Sequence, residues 1–384
     1  MGANASNTAD KAQYMGSTMQ YYYSHADLIG RGMFGAVYKA KVTKRGDYEG
    51  RDVVAVKVMQ IFAAYKTVPG QGGFMEAEEK LKKLLKLSHE NLVTYHKVSI
   101  IKATGGATVE LAMDYHEGDL ASFLMEAKQN QNLLNSYNKV AQLVACIARG
   151  LEFLHENNII HGDLKPGNIL VAVAEGGRRK LLISDLDDFV QMQGNVTCSA
   201  DISQMRGTKR YMSPEMLKKF SQAETDSPGR KTDIWSLGCI ILEMDQISSG
   251  VLEIQLVKDG NVVNAGDNLS NDQYAIKIMD GYMPVVGGGN APNSADLIRK
   301  CLDPVAANRI SSKELLHELR NKQVIVLFPC DCEIDYAFFI ILFDPATGSL
   351  NPKKSSQKTN HLWPTEGSQP AVNGNRYLIR GCSI

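Results

Sequence analysis

Apolar residues become periodic at about residue 22, after a stretch of small and polar side chains. Val53 to Val58 and Leu181 to Ser184 are branched runs that predict short strands, and Ala36 to Val42 reads as a third. Glu76 to Leu87 sets Leu81, Leu84, Leu85 and Leu87 among lysines and glutamates, which is helical spacing. Tyr137 to Asn157 predicts a longer amphipathic helix, with Val140, Leu143, Val144, Ile147, Leu151 and Leu154 on one stripe. Pro69 to Gly73 and Gly287 to Gly289 are loops. Leu252 to Val263 holds Lys258-Asp259-Gly260-Asn261 between apolar runs and predicts a β-hairpin. Beyond about residue 322, apolar strands give way to a polar tail with Pro352, Pro364 and Pro370, and no internal repeat is visible.

Composition narrows the class. Of 384 residues, 44% are hydrophobic and 22% charged, which supports a sizeable core and excludes disorder throughout. Lys plus Arg and Asp plus Glu both number 42, a balance that argues against a general nucleic-acid binder. Seven cysteines without a CxxC pair fit a reducing, cytoplasmic setting. Cys330 and Cys332 lie close together, yet free thiols are the better reading there than a metal site. Met1-Gly2-Ala3-Asn4-Ala5-Ser6 fits the pattern for N-myristoylation at Gly2, and fits a small-residue unstructured tail equally well. A single acyl chain would give only weak membrane association. No apolar run reaches about 18 residues, so Tyr336 to Phe343, preceded by Asp331, Glu333 and Asp335, reads as a strand or packing segment.

Candidate chemistry lies at two places. Gly30-Arg31-Gly32-Met33-Phe34-Gly35-Ala36-Val37 is a glycine-spaced loop whose N–H groups can approach phosphate oxygens. A dinucleotide site would need a helix to open at those glycines, and a strand follows instead. Lys57, in Val54-Ala55-Val56-Lys57, sits inside an apolar strand and so needs an anion. Glu76, Glu78 and Glu79 are the candidate helix partners; Glu78 shares a face with Leu81 and Leu85 and is preferred. Further on, His161-Gly162-Asp163-Leu164-Lys165-Pro166-Gly167-Asn168 offers a proton acceptor in Asp163. The same segment has a charge-neutralising ammonium in Lys165 and an amide oxygen for a magnesium ion in Asn168. Asp185, just past an apolar strand, supplies a second hard oxygen ligand.

These motifs, in this order, resemble the protein-kinase family over roughly residues 22 to 320. The resemblance implies an α+β fold of two lobes, a mostly-β small lobe over about 22–113 and a mostly-α large lobe over about 117–320. Residues 1–21 would be an unstructured tail and 321–384 an extension of unassigned role. It also implies ATP and Mg²⁺ as cofactors and transfer of the γ-phosphoryl to a Ser or Thr of a protein substrate. Gly30, Gly32, Gly35, Val37, Ala55, Lys57 and Glu78 would surround the nucleotide, and Asp114 and His116 would lie in the hinge beside Met113. Asn168 and Asp185 would hold metal, while Asp163, Lys165, Lys57 and Thr208 would serve transfer. Ser213-Pro214-Glu215, Asp233-Ile234-Trp235-Ser236-Leu237-Gly238 and Arg309 match further family motifs, with Glu215 and Arg309 as a structural ion pair.

Two positions depart from the family. Gly162 replaces the arginine that normally reads a phosphorylated activation segment, so activity is expected not to depend on a phosphate at Thr197, Ser199 or Ser203. Asp185-Leu186-Asp187 replaces Asp-Phe-Gly, and the added carboxylate keeps a pseudokinase or nucleotide-binding scaffold as the alternative function.

Overall fold

The computed structural model describes residues 14–15, 21–32, 35–43, 51–62, 74–103, 106–130, 133–134, 137–173, 179–186, 209–220, 229–249, 255–264, 269–286, 292–321, 339–343, 350–353 and 377–380. Contacts divide the chain into two units, Met1–Val324 and Ile325–Ile384.

The first unit opens with a curled antiparallel sheet. Its strands are β1 (Tyr14–Met15), β2 (Tyr21–Tyr23), β3 (Leu28–Arg31), β4 (Gly35–Val42), β5 (Val53–Phe62), β6 (Tyr95–Ala103) and β7 (Gly106–Asp114), with helix α1 (Phe74–Leu84) between β5 and β6. The order is β1-β2-β4-β5-β7-β6, and β3 pairs with the other end of β4. Register decides what each face carries. Val37, Lys57 and Leu111 stand opposite one another, as do Lys39, Ala55 and Met113, and opposed residues of an antiparallel pair share a face. Val37, Ala55, Lys57 and Met113 therefore lie on one side. The other side carries Ala40, Val54, Val56 and Ala112, buried with Tyr21 and Tyr23.

The helical part follows in order: β8 (Gly118–Asp119), α2 (Leu120–Gln129), α3 (Tyr137–Glu156), β9 (Ile169–Val173), β10 (Arg179–Ile183), α4 (Pro214–Phe220), α5 (Arg230–Ser248), β11 (Gln255–Lys258), β12 (Asn261–Asn264), α6 (Asn271–Met279), β13 (Met283–Pro284), α7 (Pro292–Cys301) and α8 (Ser312–Asn321). α5 is buried continuously from Thr232 to Leu242, so it is a core helix rather than a surface one. α3 turns its apolar stripe to α5, α8 and β10. Asp119 caps α2 by accepting from Ser122 N at 2.7 Å, and β8 pairs with β9, tying the link between the lobes to the strand behind Asn168. The expected hairpin is present: Lys258 pairs with Asn261, and Asp259 and Gly260 at φ 49° and 79° form its two-residue turn.

In the second unit β14 (Phe339–Phe343), β15 (Leu350–Lys353) and β16 (Tyr377–Arg380) form an antiparallel sheet in the order β15-β14-β16. Two expectations need correction. The tail expected to lack structure through residue 21 holds β1, whose Tyr14 and Met15 pair with Tyr23 and Tyr22, and also the start of β2. The helix expected to reach Leu87 stops at Leu84, where Lys86 N and Leu87 N turn back onto Lys83 O and Leu84 O. Among the described residues, no helix is long and apolar enough to cross a membrane. Gly2 lies outside them.

Candidate active site

The glycine loop joins β3 to β4 and is closed by Gly32 N donating to Gly35 O at 2.9 Å. A side chain at Gly35 would put its Cβ 2.1 Å from the carbonyl oxygen of Val58, so β5 passes too close for any other residue. A Cβ at Gly32 would meet nothing within 4 Å. The loop is thus pinned at one end and open at the other. Met33 and Phe34 lie outside the described residues.

Lys57 is buried and forms an ion pair with Asp185, which follows β10 with a left-handed backbone at φ 62°. A buried ammonium requires such a carboxylate. The preferred helix partner is corrected: Glu78 accepts from Lys82 Nζ at 2.7 Å, one turn along α1, and that lysine holds its carboxyl below the usual glutamate range. Spacing of i to i+4 on a solvated helix face satisfies Glu78 locally and leaves it no reason to reach the sheet. Glu79 is exposed, and the side chain of Glu76 lies outside the described residues.

The segment 161–168 is built around one carboxylate. Asp233, buried in the first turn of α5, accepts from His161 N at 3.0 Å and His155 Nε2 at 2.8 Å on Oδ2, and from Gly162 N at 2.9 Å on Oδ1. Gly162 has φ 78°, a conformation that a side chain there would strain. His161 Nδ1 accepts from Asp163 N at 3.2 Å, so its Nε2–H donates to Ser184 O at 2.9 Å and links the loop to the residue before Asp185. Asp163 Oδ2 takes Lys165 Nζ at 2.5 Å and Asn168 Nδ2 at 3.1 Å, while Asp163 Oδ1 is buried without a hydrogen-bond partner among the described residues. Asn168 Nδ2 also donates to Asp163 O at 2.8 Å, which leaves the amide oxygen as the atom available to a cation.

At the hinge, Met113 is buried on the Lys57 face, beside Ala55. The side chain of Asp114 lies on the opposite face, where its carboxylate meets Arg51 Nε at 2.6 Å and His96 Nε2 at 2.8 Å. Burial raises its pKa, and the His96 hydrogen bond and Arg51 charge outweigh that and hold it below the usual range. The Asp114 carboxylate is thus taken, and its N–H donates to Thr94 O at 3.0 Å, which leaves only the carbonyl oxygen to offer a nucleotide. His116 is half-buried with Nε2 lacking a hydrogen-bond partner among the described residues, and burial pushes its pKa down against the pull of Asp114. Lys39 Nζ lies 4.3 Å from the ring centroid of Tyr115 and ties β4 to the hinge.

Thr208 and Asp187 lie outside the described residues. Glu215 and Arg309 form a bidentate pair at 2.6 and 2.8 Å. Burial raises the Glu215 pKa, but Arg309 overrides it and the carboxyl ends below its ordinary value. Two positioning groups escaped the sequence reading. One is Asp233 as the anchor of the catalytic segment; a carboxylate inside an otherwise apolar helix was the available signal. The other is Tyr95, whose hydroxyl accepts from Leu186 N at 3.0 Å, and no local pattern marks it.

The structure brings Lys57, Asp185, Asn168, Asp163 and Lys165 into one connected set through Ser184 and His161. Two hard oxygen donors next to an ammonium and an open glycine loop fit a magnesium–triphosphate. The protein kinase domain family model matches residues 23–319. Inhibitor of nuclear factor kappa-B kinase subunit epsilon from Mus musculus is 31% identical over 228 residues, 58% of this chain and 29% of that protein. Mitogen-activated protein kinase kinase kinase 19 from Homo sapiens is 25% identical over 300 residues, 77% of this chain and 20% of that protein. Cyclin-dependent kinase 8 from Caenorhabditis elegans is 29% identical over 236 residues, 58% of this chain and 36% of that protein. The chain thus spans between 20% and 36% of the length of these relatives.

Proposed function

Since this chain belongs to the protein kinase domain family, we propose that it transfers the γ-phosphoryl of ATP to a serine or threonine hydroxyl of a protein. The observation that carries the proposal is the divided state of Asp163. One carboxylate oxygen is held by Lys165 and Asn168, and the other, buried and without a hydrogen-bond partner among the described residues, would accept the hydroxyl proton. Lys165 would neutralise charge on the moving phosphoryl, and Lys57 would orient the phosphates. Asn168 and Asp185 would hold Mg²⁺, which when bound neutralises charge on the phosphate oxygens. The glycine loop from Gly30 to Gly35 would lie over the phosphates, and Val37, Ala55 and Met113, which share the Lys57 face, would give the base an apolar roof. Binding and orientation are thus the work of this chain, rather than covalent catalysis.

The test is transfer of labelled phosphate from ATP to a generic protein substrate by the parent and by Asp163→Asn. The variant should fold normally and lose activity by about a thousandfold. Undiminished transfer by the folded variant would remove Asp163 from the reaction. Gly162, in place of an arginine, favours a second reading as a nucleotide-binding scaffold. That reading predicts stabilisation by ATP with no transfer by the parent.

A further inference from the structure

Glu110 on β7 is fully buried, at 0% exposure, and no salt bridge reaches it among the described residues. Its carboxylate is instead shared by two phenols: Tyr21 OH donates to Oε2 at 2.8 Å and Tyr23 OH to Oε1 at 2.9 Å. Alternate residues of a strand share a face, so both rings of β2 turn inward. Their centroids are 6.4 Å apart, and Tyr23 also stacks on Tyr38 of β4 at 4.7 Å. The backbone pairing of β2 with β4 is short, Tyr21 with Val42 and Tyr22 with Lys41. The side-chain clasp therefore reinforces a short ladder in seating this strand. Apolar contact alone would hold it without fixing its register, whereas two directional bonds to one carboxylate admit a single arrangement.

The place of the clasp gives it a role. β2 runs through Ser24–Asp27 straight into β3 and Gly30, and that link is stiffened by Ser24 N and Oγ donating to Asp27 Oδ2 at 2.8 and 2.7 Å. On the other side, Glu110 stands opposite Val58, and its neighbour Leu111 stands opposite Lys57. The clasp thus joins the root of the glycine loop to the strands that carry Lys57 and lead to the hinge.

We propose that Glu110, acting through Tyr21 and Tyr23, is a positioning residue that seats the glycine-bearing strand over the nucleotide cleft, so that docking of β2 sets nucleotide affinity. The inference rests on the nucleotide-binding part of the function proposed above. It is tested by calorimetry with a non-hydrolysable ATP analogue and magnesium, with amide exchange across residues 21–31 followed in parallel. Tyr21→Phe/Tyr23→Phe, which strands the carboxylate, should weaken binding by about tenfold and speed exchange. Glu110→Gln, whose amide can still accept from one hydroxyl and donate to the other, should stay within about twofold of the parent. Parent-like affinity in the folded double variant overturns the proposal, and so does a Glu110→Gln change that is as damaging as the double. If the double variant fails to fold, Tyr21→Phe decides instead, with about threefold weaker binding expected and no change fatal. If the parent binds no analogue, the kinase reading falls on its own, and exchange then judges the clasp: unaltered exchange overturns it.

Discussion

The chain holds two charged contacts of different character, one in the cleft and one at the base of the helical lobe. Arg309 is held on several sides. Its guanidinium grips both oxygens of Glu215, donates to Asp303 O at 2.8 Å and Lys231 O at 3.0 Å, and lies over the Trp235 ring. Four of its five N–H donors have a fixed address, as planar guanidinium chemistry favours. Lys57 meets Asp185 as a point charge, and the Asp185 side chain is still 29% exposed. Arg309 and Glu215 are locked in place by that network, whereas Asp185 keeps a partly exposed carboxylate beside the Lys57 ammonium. The same attraction is closed off in one region and stays accessible at the carboxylate in the other.

The comparison breaks most visibly at Arg309. Arg309→Ala leaves Glu215 facing a buried void and should destabilise the folded chain by about 3–5 kcal/mol in urea unfolding. A midpoint close to the parent's would show that the pair is not structural. Lys57→Met should do the reverse. It should fold as the parent does, yet lose the stabilisation that ATP–Mg²⁺ confers, about 2.7 kcal/mol at a hundredfold excess over Kd. Equal stabilisation of both proteins by nucleotide would deny Lys57 its place in the site. The smallest effect is with acid. The Glu215 carboxyl sits below its ordinary value, so its contribution is complete above about pH 4.5 and is lost as pH falls through the lower folded-state value. The parent should lose stability across that window, and Arg309→Ala should lose less of it. Parallel pH curves for the two proteins would contradict this.

Much of the geometry of the candidate site was legible because its signals are local. An apolar strand with one lysine called for an anion, and Asp185 meets Lys57 there; a turn sequence between branched runs predicted the hairpin; and Asp163, Lys165 and Asn168, close in sequence, are in contact. Glu78 misled because a helix surface offers a carboxylate a nearer lysine, and sharing a side with Leu81 does not pull a charged head inward. The clasp of Tyr21 and Tyr23 on Glu110 and the contact of Tyr95 with Leu186 were illegible for another reason. Their partners are 87 to 91 residues apart in sequence, and only the curl of the sheet and the closure of the lobes bring them together.

Asp233 leaves the catalytic segment without redundancy. Its two oxygens face three N–H groups, from His155, His161 and Gly162. Asparagine has nearly the same shape, but its amide would turn a donor toward at least one of those donors. Glutamate would overshoot the socket by a methylene. The position therefore tolerates no ordinary replacement, and a single codon carries the entry of the loop.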